Sequence, residues 1–211
     1  MPLILQQDIS PNTKLAVWKI DEDVAFFQQN GVIPLPISHP VKQLQHLAGR
    51  FLLTFLFPDF PITDIVILPT RKPVLLHQQY HFSISHCTNY AAAIVSKTNS
   101  VGVDVETITE RVLKIQHKFL NEKELLFLAE LNRNTLIKQL TVLWSAKEAM
   151  YKWWGSGDIS FKEVLQTRPF SCKSEGIINA DFIHNDLTMP LTLNYRTTDE
   201  LSLVWVESAF N

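Results

Sequence analysis

Two long segments with helical periodicity, each followed by a run of short strands, constrain this chain most. The first runs from Val41 to about Phe57, with Leu44, Leu47, Phe51 and Leu52 at three- and four-residue steps and Pro58 ending it. The second spans about 135–154 and stops at Gly155-Ser156-Gly157. Ahead of the first lie a strand at 13–20, a short helix opened by Asp21-Glu22-Asp23 and stopped at Asn30-Gly31, and a Pro-rich connector at 33–40. After it, strands are expected at 64–68, 74–76, 81–86, 90–95 and 101–106, forming an antiparallel meander. Helical stretches at 111–119 and 122–131 precede the second long segment. Strands near 162–166, 176–180, 190–195 and 201–207 follow it. The two halves end alike: Phe82-Ser83-Ile84-Ser85-His86, turn, Ala91 to Val95 parallels Leu191 to Tyr195, turn, Leu201 to Val206. The pattern predicts an α+β protein of two similar halves, 1–100 and 101–211, related by a pseudo-twofold duplication. Each is a long helix on an antiparallel sheet, and a cleft between them is where ligands often sit.

Composition narrows the function classes. With 46% hydrophobic and 19% charged residues, the 211-residue chain can bury a core and is not disordered. A net charge of -2 gives no basic field for nucleic acid. Six glycines leave no Gly-rich phosphate loop, and Cys87 and Cys172 have no CxxC spacing for zinc. The N-terminus lacks the basic region of a signal peptide, and the apolar stretch around 51–57 is too short to span a bilayer. The expectation is a cytoplasmic protein without membrane contact.

Four constellations carry candidate chemistry. In Val101-Gly102-Val103-Asp104-Val105-Glu106, strand alternation puts Asp104 and Glu106 on one face. Two carboxylates there repel unless water or a cation such as Mg²⁺ intervenes. In the second long helix, Trp144, Glu148 and Lys152 step by four along one face, offering a third carboxylate and a phosphate-neutralising amine. Arg71-Lys72-Pro73 with Ser83, Ser85 and His86 offers a basic pair, exposed hydroxyls and a histidine suited to phosphate. Asn121-Glu122-Lys123-Glu124 reads both as a helix capping box and as a source of a general base. Taken singly, each has a structural reading: a polar strand face, an i,i+4 ion pair, a surface turn, a cap. Trp144, Tyr151, Trp153 and Trp154 read as core, and no Ser-His-Asp or Cys-His signature is present.

Their order is more informative. G-V-D-V-E at 102–106, followed some forty residues later by W-S-A-K-E-A-x-x-K at 144–152, resembles the two signature motifs of the 4'-phosphopantetheinyl transferase superfamily. R-K-P, F-S-I-S-H and Gly49-Arg50 resemble further motifs of that family. The Asp motif follows a complete first half, so the chain resembles the longer, pseudo-dimeric type. The resemblance implies Asp104, Glu106 and Glu148 as Mg²⁺ (or Mn²⁺) ligands and Lys152 as the pyrophosphate lysine. Lys147 would approach the phosphates or pair with Glu124. Ser85 and His86 would contact coenzyme A phosphates, Lys72 and Pro73 would line the adenine end, and Arg50, with Lys42 and His46, would help hold the 3'-phosphate. Glu124 would activate the incoming serine. Arg71 and Gln45 depart from the pattern, standing where a glycine and a basic residue are expected. The implied reaction moves 4'-phosphopantetheine from coenzyme A to a serine of an acyl, peptidyl or polyketide carrier protein, by a monomeric enzyme. The basic residues of 107–140 (Arg111, Lys114, Lys118, Lys123 and Arg133) form a candidate carrier-docking surface. The competing readings are a non-catalytic coenzyme A or carrier-binding module and a metal-dependent phosphohydrolase.

Overall fold

The computed structural model describes residues 2–34, 36–77 and 79–209. It divides into two compact units, one formed by the chain through Val101 together with Ala209, the other by Gly102–Ser208. The protein is α+β, and its hairpins and the strands joining them pair antiparallel.

In the first unit, β1 (Leu3–Ser10) and β2 (Thr13–Lys19) form a hairpin, and β5 (His81–Cys87) and β6 (Tyr90–Ser96) form another. They join in the order β1-β2-β6-β5. α1 (Val24–Gln29) is capped by Asp23, whose carboxylate accepts from the Phe26 amide at 3.0 Å. α2 (Pro40–Leu56) starts on a proline, which costs nothing where the amide would lack a partner anyway. It lays Leu47, Ala48, Phe51 and Leu52 into a core with Trp18, Phe27, Phe60, Phe82 and Val95. Each leucine, valine or phenylalanine among them is worth roughly 1.5–3 kcal/mol of apolar burial. β3 (Ile65–Ile67) and β4 (Pro73–Leu75) form a separate two-stranded ribbon.

In the second unit, β7 (Ser100–Thr107) leads into α3 (Arg111–Phe119), α4 (Glu122–Leu126) and α5 (Arg133–Trp154). β8 (Leu165–Thr167), β9 (Glu175–His184), β10 (Leu187–Thr197) and β11 (Leu201–Ser208) complete a sheet in the order β7-β11-β10-β9-β8. α5 is capped by Asn132 and stopped by Gly155 at φ 70°, the left-handed conformation that suits glycine. It packs Ala146, Ala149, Met150 and Trp153 against Leu193, Val204 and Val206.

Four expectations are corrected. β1 is an additional strand, and its polar residues are tolerated because it lies at the sheet edge. The meander does not continue into β7. Both sides of β6 are already taken, Ala93 pairing with Ala16 and with Ile84, so β7 pairs in the other sheet beside β11. The helix expected over 122–131 is helical only to Leu126. Beyond it, the amides of Leu128, Ala129 and Leu131 bond three residues back rather than four, in successive tight turns. The strands expected at 176–180 and 190–195 are the middles of a longer hairpin that turns through Asn185 at φ 54°. Each unit does place one long helix on an antiparallel sheet, although the strand orders differ. Among the described residues no helix is long and apolar enough to cross a membrane.

Candidate functional site

Asp104 and Glu106 sit on the β7 face that meets α5. Gly102 begins that face, and a Cβ there would lie 2.0 Å from the Ala149 carbonyl oxygen and 2.8 Å from the Trp153 amide. Only glycine lets strand and helix approach so closely. That approach places the α5 row Trp144, Glu148 and Lys152 beside the two carboxylates. The Lys152 ammonium donates to Asp104 Oδ1 at 2.7 Å and to the Val103 carbonyl at 3.2 Å. The Trp144 indole N–H donates to Glu106 Oε1 at 3.3 Å. Burial, and then the negative charge of Asp104, pushes Glu106 up to about 7, opposed by the Trp144 hydrogen bond, Lys152 and Arg111. Glu148 is also pushed up to about 7, by burial and by Asp104. Three carboxylates therefore share one half-buried place, with one ammonium bonded among them. Three carboxylates suit a hard divalent cation chemically. As they stand, Lys152 and Trp144 engage their oxygens, and among the described residues no three His, Cys, Asp or Glu side chains are arranged to enclose a metal ion.

Glu124 and Lys147 form a second, fully buried cluster. Lys147 is 0% and Glu124 1% exposed. The ammonium uses all three protons, to Glu124 Oε2 (2.6 Å), the Phe119 carbonyl (2.7 Å) and the Phe161 carbonyl (3.0 Å). Glu124 Oε2 also accepts from the Asn121 amide, and Oε1 accepts from the amide and the hydroxyl of Thr167. The expected capping box is present, with Asn121 accepting from the Glu124 amide at 2.9 Å. Burial lowers Lys147 to about 8, against the pull of Glu124 in the other direction.

The first unit holds a basic cluster. His46 and Arg50 lie one turn apart on α2, and His86 is at the end of β5. His46 Nε2 is buried and has no hydrogen-bond partner among the described residues. Burial, with the positive charges of Arg50 and His86, lowers His46 to about 4. Burial also lowers Arg50 and Lys72. Ser83 and Ser85 are buried rather than exposed, because the β5 face opposite Ile84 is covered. Gln45, where a basic residue is expected, donates to the Thr88 carbonyl at 2.8 Å and so ties α2 to the turn after His86. Arg71 adopts φ 66°, a backbone position favouring glycine, just before Lys72 and Pro73. Lys42 is exposed at the start of α2.

A pH effect follows from His46. Its folded-state value lies below the ordinary 6.5, so the unfolded chain takes up the proton first as pH falls. Its contribution to stability is complete above pH 6.5 and is lost towards pH 4. Thermal unfolding of His46→Gln between pH 7 and 4.5 is expected to show a shallower fall in melting temperature than the parent. Parallel curves would refute this assignment.

The residues singled out in the sequence thus separate into three groups: Asp104, Glu106, Glu148 and Lys152 together; Glu124 with Lys147; and Arg50 with His86, near which His46 belongs. The positive charge of Lys72 helps to lower His81. Sequence reasoning missed Trp144 as the holder of Glu106, although its place one turn before Glu148 carried the signal. It also missed Thr167, which nothing in the sequence marks.

Comparison with known proteins agrees with the motifs. Residues 100–189 match the family model described as the 4'-phosphopantetheinyl transferase superfamily. Over 77 residues, 36% of this chain and 32% of the relative, the chain is 34% identical to 4'-phosphopantetheinyl transferase gsp of Aneurinibacillus migulanus. Over 145 residues, 63% of this chain and 59% of the relative, it is 27% identical to enterobactin synthase component D of Salmonella typhi. The chain thus spans less than two thirds of the length of each of these relatives. Residues 100–189, which carry Asp104, Glu106, Glu148 and Lys152, are thus the part of this chain that is similar to the 4'-phosphopantetheinyl transferase superfamily.

Proposed function

We propose that this protein transfers 4'-phosphopantetheine from coenzyme A to a serine of an apo acyl, peptidyl or polyketide carrier protein, as an enzyme of the longer, pseudo-dimeric type. The observation that carries this reading is the cluster of Asp104, Glu106 and Glu148 around Lys152, built where the family's two motifs meet. In the transfer, the serine oxygen bonds to the β-phosphorus and the bridging pyrophosphate bond breaks. 3',5'-ADP leaves, and one proton goes to solvent. Asp104, Glu106 and Glu148 would hold Mg²⁺ or Mn²⁺, which supplies charge neutralisation of the pyrophosphate. Lys152 has a flexible stem and a side chain 26% exposed, so it can exchange Asp104 for a phosphate oxygen and stabilise the leaving group. His46, Arg50 and His86 suit the 3'-phosphate. Arg50 brings a permanent charge, and the unpartnered His46 nitrogen has a hydrogen bond to offer.

The carrier would dock on α3 and α4. Leu126 is 75% exposed beside the exposed Lys123, and Lys114 and Lys118 are exposed on α3. That combination suits an acidic partner with an apolar patch. Arg133 contributes less there, being paired with Glu110 at 3.0 Å.

Intact mass of an apo acyl carrier protein incubated with this protein, coenzyme A and Mg²⁺ tests the proposal. The expected result is a gain of one phosphopantetheine that EDTA abolishes. Coenzyme A binding without transfer to acyl or peptidyl carriers would identify a binding module instead. Coenzyme A cleavage without any carrier would identify a hydrolase.

A further inference from the structure

We infer that Trp144, with the buried Glu124–Lys147 pair behind it, positions Glu106, and that Glu124 therefore serves as a support and not as the acceptor of the serine proton. The inference rests on the proposed transfer, and on a chain of contacts within the second unit. Lys147 bonds the backbone carbonyls of Phe119 and Phe161. The rings of those same two residues flank Trp144, Phe119 edge-on with centroids 5.2 Å apart and Phe161 stacked at 5.8 Å. The indole held between them gives its N–H to Glu106 Oε1. Fixing the two carbonyls fixes the two rings, the rings fix the indole plane, and the indole fixes one oxygen of a candidate metal ligand. Partners outside the first coordination sphere orient ligands in this way, at a typical cost of 10–100-fold in metal affinity when they are removed.

Glu124 is matched to the supporting role. Its two oxygens accept four hydrogen bonds, from Lys147, the Asn121 amide, and the Thr167 amide and hydroxyl. At 1% exposure it offers no face to a partner's hydroxyl. The pair joins the end of α3, the start of α4, the segment at Phe161 and β8 to α5, directly beside Glu148 in the chain.

Four variants test this: Trp144→Phe, Lys147→Met, Glu124→Gln, and the double Lys147→Met/Glu124→Gln. Each is measured by thermal unfolding, by Mn²⁺ titration followed by electron paramagnetic resonance, and by carrier transfer across metal concentration. Trp144→Phe keeps an aromatic ring between Phe119 and Phe161 but loses the N–H together with the five-membered ring of the indole. It is expected to stay folded with a modestly lower melting temperature, bind Mn²⁺ about tenfold more weakly, and recover transfer when metal is raised. The single charge variants leave one buried charge unpaired and are expected to melt far lower. The double variant, with no buried charge, is expected to fold better than either and to transfer at saturating metal. Unchanged Mn²⁺ affinity in Trp144→Phe would overturn the inference. So would a folded double variant with no transfer at saturating metal, which would return the proton-acceptor role to Glu124. A parent protein that neither binds Mn²⁺ nor transfers would instead refute the proposed function itself.

Discussion

Asp104→Asn is expected to reduce carrier modification by a factor on the order of 10³, with the fold intact. Removing one of a few preorganised electrostatic groups costs roughly 10²–10³ in turnover, and Asp104 has two parts to play. It is the most buried carboxylate of its cluster, at 2% exposure, and the one bonded to Lys152. Asparagine has the same shape, so packing against α5 survives. What is lost is the charge that holds Lys152 and that, under the proposed function, would draw in a divalent cation. Intact-mass kinetics on an apo carrier protein, at saturating coenzyme A and Mg²⁺, measures the effect, with circular dichroism confirming the fold. Turnover within tenfold of the parent would remove Asp104 from the site.

Gly102→Ala acts on the same place through the backbone. The new methyl would meet the Ala149 carbonyl at 2.0 Å and the Trp153 amide at 2.8 Å. Both are main-chain atoms inside a helix and cannot rotate away, so α5 must lift off β7. The apolar layer of Ala146, Ala149, Met150 and Trp153 then opens over its whole length. The expected cost exceeds about 4 kcal/mol, in the range reserved for strain and overpacking of a core. For a chain of this size that corresponds to a drop in melting temperature of at least about 10 °C. Gly49→Ala is the control. There the methyl would meet Cγ2 of Ile84 at 2.5 Å, a side-chain atom that can shift, and the expected loss is about 1–3 kcal/mol. If Gly102→Ala costs no more than Gly49→Ala, the close strand–helix approach is not what holds the acidic cluster together.

Local features were legible in the sequence and long-range ones were not. The periodicity of α2 and α5, the Asn121 capping box and the β5–β6 hairpin depend on residues a few positions apart, and all stand in the structure. The partner of β7 depends on which strand edges remain open, which no local window records. Ser83 and Ser85 alternate correctly with Phe82 and Ile84, but alternation tells which residues share a face and not whether that face is covered. The acidic cluster was legible because strand period two and helix step four each align their carboxylates. The division of labour between Lys147 and Lys152 was not. The two lysines are five residues apart in one motif, and only the third dimension turns one inward to Glu124 and the other towards Asp104.

That division gives the protein a built-in chemical clock. Amine acylation needs a free, accessible lone pair, and in the native state Lys147 is fully buried and held as an ammonium that donates all three protons, so it offers none. A mass tag on Lys147 therefore counts molecules that opened while reagent was present, while tags on exposed lysines such as Lys123 count exposure time alone. The ratio of the two on a digested sample would report the opening rate of the second unit without denaturant, dye or assay for activity.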